Sequence, residues 1–297
     1  HNAMIKRIVA ISNPAKLSHR NRQMVVEREG YVPETVPVED MGILILENPA
    51  ISHTQGILTL CLENNVAVII CNKKHLPVAI LSPLESNSLH SKTISRQAKI
   101  AEPLRKRLWK TIVKAKICEQ AKVLLTTTSE NNPLLAYAAR VKSGDPQNIE
   151  AQAARIYWQR LFGGEFRRDK DGDGINILLN YGYAVMRAAV ARAIVGTGLH
   201  PSLGVHHHNQ YNSFCLADDM LEPLRPAVDL KVHTLYKGAK EEMTLTHESK
   251  QSLLEILTKE CNINNTRLPI IVALHHYAAS MRKVICGEDK QIKIPAL

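Results

Sequence analysis

Three consecutive histidines, His206, His207 and His208, stand shortly ahead of three acids, Asp218, Asp219 and Glu222. Leu203, Val205, Phe214, Leu216 and Leu221 run through the same segment and pull it toward a core. A carboxylate in apolar surroundings is costly unless it is paired, hydrogen-bonded or bound to a cation. Imidazole beside carboxylate suits a divalent metal, while the competing account is a satisfied polar network of caps and turns. Adjacent side chains point in different directions, so at most one or two of the three histidines meet a common ion. Asp219 and Glu222 are three apart and share a helical face, with Asp218 four residues before Glu222. Pro223 and Pro226 lack backbone donors, so a helix begins or bends there.

A further carboxylate stands in Glu150-Ala-Gln-Ala-Ala-Arg-Ile-Tyr-Trp158. At about 100° per residue, Glu150 lies within about 60° of Ala153, Ala154, Tyr157 and Leu161, and so points with them toward the interior. The alternative is a first-turn acid that serves only the positive end of the helix dipole. Asp169-Lys-Asp-Gly-Asp-Gly174 imitates the opening of a calcium loop, but its twelfth position is Asn180 where a bidentate Glu is needed, so it reads as a turn feeding the next helix. His275 and His276, on an apolar helix, read as core or interface residues rather than ligands. No Walker loop, Gly-x-Gly-x-x-Gly fingerprint or Gly-x-Ser-x-Gly elbow occurs, which removes support for nucleotide hydrolysis and acyl transfer.

These groups must be carried on a chain of 297 residues, long enough for a large core and by default for two domains. Its 45% hydrophobic and 22% charged residues place it in the globular class, and no apolar run is long enough to span a bilayer. His-Asn-Ala before Met4 reads as a vector remnant. Six cysteines without a Cys-x-x-Cys pair fit a reduced, cytoplasmic protein. The net charge of +10 favours a polyanionic partner. From Lys92 to Lys122 ten basic residues, Lys116 among them, face only Glu102 and Glu119. Leu104, Leu108 and Ile112 recur there at helical spacing, so one face packs while the other meets phosphate or is simply solvated.

Short β-branched runs at 7–12, 23–27, 36–39, 42–46, 67–70 and 77–81, with a helix from about 54 to 63, predict a small β-rich domain over residues 1–85. After Pro83 the periodicity turns helical. Helices are expected near 92–127, 132–142, 148–162, 176–196, 219–236, 247–260 and 267–285, followed by a loosely held tail. The fold class is therefore α+β: an N-terminal β-rich domain, then a larger all-α domain over 86–297.

Val36-Pro-Val-Glu-Asp40, Gly42-Ile-Leu-Ile-Leu46, Lys116-Ile-Cys-Glu-Gln120, Glu150-Ala-Gln-Ala-Ala-Arg155 with Tyr157-Trp158, Asn180-Tyr-Gly-Tyr183, Gly198-Leu-His-Pro-Ser-Leu-Gly204 and Glu222-Pro-Leu-Arg-Pro226 lie along nearly the whole chain. In these motifs the chain resembles the first CRISPR-associated protein family, the integrases that capture spacer DNA, and its compact length and His-His spacing are similar to the type II branch. The resemblance implies a metal site and catalytic set of Glu150, His207 and Glu222, with His206, His208 and Asp219 as auxiliary candidates. It implies a β domain that forms a homodimer, a helical catalytic domain, and a small ferredoxin-like CRISPR-associated partner bridging two dimers. The expected reaction is attack of a spacer 3′-hydroxyl on a phosphodiester of the repeat. Mg²⁺ or Mn²⁺ suits two carboxylates and an imidazole. Lys92, Arg96, Lys99, Arg105, Lys106 and Lys110 are the expected contacts to double-stranded DNA. Competing readings are a metal-dependent nuclease acting on branched DNA and a non-catalytic nucleic-acid scaffold.

Overall fold

The N-terminal strands form two sheets. In the computed structural model, which describes residues 7–73, 77–81, 83, 90–128, 132–238 and 243–297, the chain begins with β1 (Arg7–Ile11), β2 (Lys16–Arg20), β3 (Gln23–Glu27), β4 (Glu34–Pro37), β5 (Met41–Leu46), β6 (Ser52–His53), α1 (Gln55–Glu63), β7 (Ala67–Cys71) and β8 (Pro77–Leu81). One sheet has the order β1-β5-β7-β8, with β1, β5 and β7 parallel and β8 antiparallel at the edge; the other has the order β4-β3-β2-β6. Strand β2 carries no expected alternation. Its Lys-Leu-Ser-His-Arg sequence buries Leu17 and little else, and it turns into β3 through Asn21 and Arg22, whose φ of 51° and 60° match a tight two-residue hairpin.

Strand β5 is buried along its whole length, as a parallel strand covered on both faces must be. Ile43 and Ile45, with Ala67 and Ile69 of β7, join the helical core. Leu44, Leu46 and Val68 face the N-terminal core, where Ile57 and Cys61 of α1 close it. The sheet is thus shared between the two halves. Glu47, just past β5, is buried at this seam, accepting hydrogen bonds from Tyr181 Oη at 2.8 Å and Ser12 Oγ at 3.0 Å and pairing with Lys250 Nζ at 3.0 Å. The expected boundary at 85/86 lies outside the described residues, as does the stretch at 1–3.

Among the described residues the regular structure that follows is helical apart from one hairpin: α2 (His90–Ala98), α3 (Glu102–Thr127), α4 (Leu134–Arg140), α5 (Ile149–Phe162), α6 (Ile175–Gly196), α7 (Cys215–Leu221), α8 (Arg225–Gly238), α9 (His247–Leu254), β9 (Glu260–Ile263), β10 (Thr266–Pro269) and α10 (Ile270–Ile285). The helix expected over 92–127 is two helices, because Pro103 starts a new one at α3. The one expected at 219–236 is α7, a 3₁₀ turn at Glu222–Leu224 and α8, the break falling at Pro223. Asn264 and Asn265, with φ of 53° and 59°, make the turn between β9 and β10 that helical periodicity concealed. The tail is pinned: Ala296 exchanges backbone hydrogen bonds with Asn262 at 2.8 and 2.9 Å, and Ile292 is buried. His275 and His276 are exposed on α10, so neither is a core residue. Among the described residues no helix is long and apolar enough to cross a membrane.

Candidate active site

On α3, Arg105, Trp109, Ile112 and Gln120 all lie within about 40° of Lys116 around the helix axis. This face meets α5 and the turn between α7 and α8. Lys116, expected in the solvent-facing basic stripe, points inward and is 8% exposed. Its ammonium lies 2.5 Å from Glu150 Oε1 and 2.5 Å from Glu222 Oε2. Glu150 and Glu222, 72 positions apart in the sequence, therefore converge on one cation. Arg225 Nε donates to the other oxygen, Glu222 Oε1, at 2.8 Å. Burial pushes the Glu222 carboxyl upward, but Arg225 and Lys116 outweigh it and hold the group well below the usual carboxylate range. Burial likewise disfavours charge on Lys116, yet Glu222 and Glu150 raise its pKa above the ordinary value.

Glu150 is free to turn toward Lys116 because another residue caps its helix. Asp145 Oδ1 accepts from the backbone N–H of Ile149 and Oδ2 from that of Glu150, both at 2.9 Å. Two of the orphan donors of α5 are thereby satisfied, and the first-turn carboxylate need not do it. Ala153, Tyr157 and Leu161 bury the same stripe, as the spacing predicts.

Asp219 organises the histidines. It is fully buried, and Oδ2 accepts from the backbone N–H groups of Val205 at 2.7 Å and His206 at 3.0 Å, while Oδ1 lies 2.6 Å from His207 Nδ1. Gly204 is required here: a Cβ would stand 2.9 Å from Asp219 Oδ2 and press on the His207 carbonyl. The hydrogen bond that His207 Nδ1–H donates to Asp219 raises the His207 pKa, fixes the proton on Nδ1 and leaves the Nε2 lone pair as the ligand atom, the arrangement found behind metal-binding imidazoles. His206 instead stacks flat on Trp109, with centroids 3.9 Å apart and planes 2° from parallel; burial lowers its pKa. His207 meets Trp109 edge-on at 5.8 Å. Trp109 thus separates the roles of the neighbouring histidines, a distinction spacing alone leaves open. His208 is exposed. Asp218 is turned away, held by Arg187 Nε and Asn212 Nδ2, each at 2.7 Å.

A cleft of about 620 Å³ opens beside this cluster, lined by Arg105, Lys106, Trp109, His206 and His208 among others. Arg105 and Lys106 are thus next to the histidines. Lys110 lies around the helix in a separate groove with Arg107, Lys114 and Lys290. Lys92 and Lys99 are exposed on and just after α2, and Arg96 reaches the Cys286 carbonyl. Behind the carboxylates a smaller cavity of about 200 Å³ is lined by Lys116, Gln120, Arg168, Tyr183, Glu222 and Asp229. Arg168 comes from the loop before the Asp169–Gly174 turn, stands over the Tyr183 ring and donates to Asn176 and Asn180 at 3.0 and 2.6 Å. Those bonds tie the turn onto the start of α6, as expected of a helix-feeding turn. Asp229 accepts hydrogen bonds from Tyr157 and Tyr183. Its burial pushes the carboxyl up to about 7 despite them.

As placed, no three His, Cys, Asp or Glu donors among the described residues stand together around one ion position. The donor chemistry nonetheless suits a divalent cation: Glu150 and Glu222 already converge on one positive charge, and His207, whose pKa Glu222 helps to raise, has its Nδ1 fixed by Asp219 and its Nε2 uncommitted to that bond. Asp219 is an orienting residue by this geometry, its oxygens committed to the loop. Asp145 and Trp109 were not singled out from the sequence, and Lys116 figured there only in the basic stripe and in a family motif, not as a site residue. The Lys116-x-x-x-Gln120 spacing on the face of Trp109 was the available signal, obscured by the surrounding cations.

The family model for CRISPR associated protein Cas1 matches residues 8–260. A CRISPR-associated endonuclease Cas1 from Neisseria meningitidis serogroup C (strain 8013) is 37% identical over 297 residues, covering 99% of this chain and 97% of the relative. One from Pyrobaculum aerophilum is 27% identical over 94% of this chain and 99% of its own. In fold, the chain is similar to a casposase bound to integration product (TM-score 0.80, 20% identity, 96% and 92% coverage) and to a CAS1 protein from Thermotoga maritima (TM-score 0.79, 18% identity, 95% and 98% coverage). A family match across most of its length and a full-length relative above one-third identity place this chain in the Cas1 family of CRISPR-associated endonucleases.

Proposed function

We propose that the protein inserts spacer DNA into a CRISPR array by transesterification. The observation that carries this reading is the convergence of Glu150 and Glu222 beside an oriented His207, at the edge of a cleft walled by Arg105 and Lys106. In the reaction a spacer 3′-hydroxyl forms a new bond to a phosphorus of the repeat, and the 3′-oxygen of the cut strand leaves. Arg105 and Lys106 hold the phosphate backbone across the cleft without reading base sequence. Asp219 keeps the His207 imidazole in one tautomer and orientation. Glu150, Glu222 and His207 Nε2 would hold Mg²⁺ or Mn²⁺. Such an ion, when bound, polarises a phosphoryl oxygen and stabilises the leaving oxygen.

Two identical subunits joined through the β-rich region, bridged by a small ferredoxin-like protein, are the assembly we infer. A solved structure of similar fold, a Cas6-RT-Cas1–Cas2 complex, supports a Cas2-type partner. The deciding experiment mixes the protein and its Cas2-type partner with labelled duplex, a repeat-bearing plasmid and Mn²⁺ or Mg²⁺. Strand-transfer products are expected from wild type and none from Glu150→Gln or His207→Ala. Hydrolysis without any joined product would make the protein a nuclease acting on branched DNA. If Glu150→Gln retained every activity, the ion-paired cluster would be structural.

A further inference from the structure

Lys116 is the group the expected mechanism leaves unexplained. Its ammonium occupies the point at which Glu150 and Glu222 converge, so a divalent ion drawn to the same two carboxylates meets a resident positive charge. Two cations at one point repel, and a buried ammonium moved away without a partner would pay its full desolvation cost. A second position exists. Gln120 is one helical turn beyond Lys116 on the same face, and its buried Oε1 has no hydrogen-bond partner. A native protein rarely leaves such an acceptor unmet. Lys116, Gln120 and Asp229 all line the 200 Å³ cavity, as do Arg168 and Arg225, so the ammonium borders a space that holds an orphaned acceptor and a carboxyl group as well as two guanidiniums.

We propose that Lys116 is a two-position cation: it ties Glu150 to Glu222, and a divalent ion binding there displaces its ammonium into the rear cavity toward Gln120 and Asp229. This rests on the metal-site reading above. Lys116 thereby keeps the two carboxylates together without metal and sets how tightly the metal binds. The displaced ammonium, still close by, adds positive charge beside the reacting phosphate.

The test is Mn²⁺ binding, followed by electron paramagnetic resonance or calorimetry on full-length wild type, Lys116→Met, Gln120→Leu, the double variant and Glu150→Gln. Lys116→Met removes the competitor and is expected to tighten Mn²⁺ about tenfold or more, while its melting temperature in chelator falls and Mn²⁺ restores it. Gln120→Leu removes the acceptor for the displaced ammonium and leaves both ion pairs intact. It is expected to weaken Mn²⁺ several-fold when Lys116 is present and to have no effect in the Lys116→Met background. Equal or weaker binding by a folded Lys116→Met protein overturns the inference, and so does a Gln120→Leu effect that is the same in both backgrounds. Should Lys116→Met fail to fold, the single Gln120→Leu variant decides, and unchanged affinity there sinks the idea. Glu150→Gln separates the two levels: if it binds Mn²⁺ as wild type does, the metal-site reading fails together with the inference, whereas its loss of binding beside an unaltered Lys116→Met affinity overturns the inference alone.

Discussion

At the residue scale, buried acids here have two different fates, set by which groups surround them. Glu222 is held ionised because Arg225 and Lys116 outweigh its burial. Asp229 accepts hydrogen bonds from two tyrosine hydroxyls, and burial outweighs these together with Arg225 and Lys116, raising its pKa to about 7 against an ordinary 3.8. With the folded value above the unfolded one, the folded state binds the extra proton between those limits. The contribution of Asp229 is therefore fully present below about pH 3.8 and lost as pH rises through about 7. Asp229→Asn, which mimics the protonated form, should gain melting temperature relative to wild type as pH rises from about 5 to 8, and a flat difference would refute the shift. Asp219→Asn should return the His207 pKa toward the ordinary imidazole value, seen by NMR titration, and cost about 10–100-fold in strand transfer, because an orienting carboxylate of a ligand imidazole contributes on that scale. Activity equal to wild type would remove Asp219 from the orienting role.

At the element scale, α5 and α3 meet correctly only if the N-terminus of α5 is capped from outside itself. Asp145 provides two hydrogen bonds, so Asp145→Ala should cost about 1–2 kcal/mol in urea unfolding. If Glu150 swings back to cap its own helix in that variant, strand transfer will drop by more than the stability loss explains. An unchanged unfolding midpoint would show the cap to be dispensable. Periodicity located α1, α5 and α6 closely, since each buries one stripe or a whole cylinder. It missed the break before α3 and the β9–β10 hairpin, where Pro103 and paired asparagines override hydrophobic spacing, whereas Pro223 already signalled the bend found at Glu222–Leu224. Three positions apart, the two acids still serve different partners: Asp219 holds the loop at 205–207, and Glu222 pairs with Lys116 and Arg225.

At the scale of the whole molecule, the parallel sheet is common to both cores, and Glu47 is its buried anchor to α6 and α9. Glu47→Gln would leave the Lys250 ammonium uncompensated at 9% side-chain exposure and should cost about 3–5 kcal/mol. Pairing it with Lys250→Met should recover much of that loss in a double-mutant cycle, followed by calorimetric melting. A loss that is simply additive would deny that the pair acts as a unit.

From the chain alone, residue types and local spacing determined the α+β order, the packing stripe on which Glu150 lies, the excess of positive charge and the motifs that carry the family resemblance. Those are properties of contiguous segments, where a period of two or 3.6 residues and a fixed turn residue leave a visible trace. Only the tertiary structure decided that Lys116 abandons the basic stripe for the carboxylates, that Trp109 takes His206 and leaves His207 to Asp219, and that the tail is stitched to Asn262. Each of these depends on groups between 12 and 106 residues apart in the chain meeting in space. The charge of a lysine is the same in both settings, and burial between two acids is what changes its role.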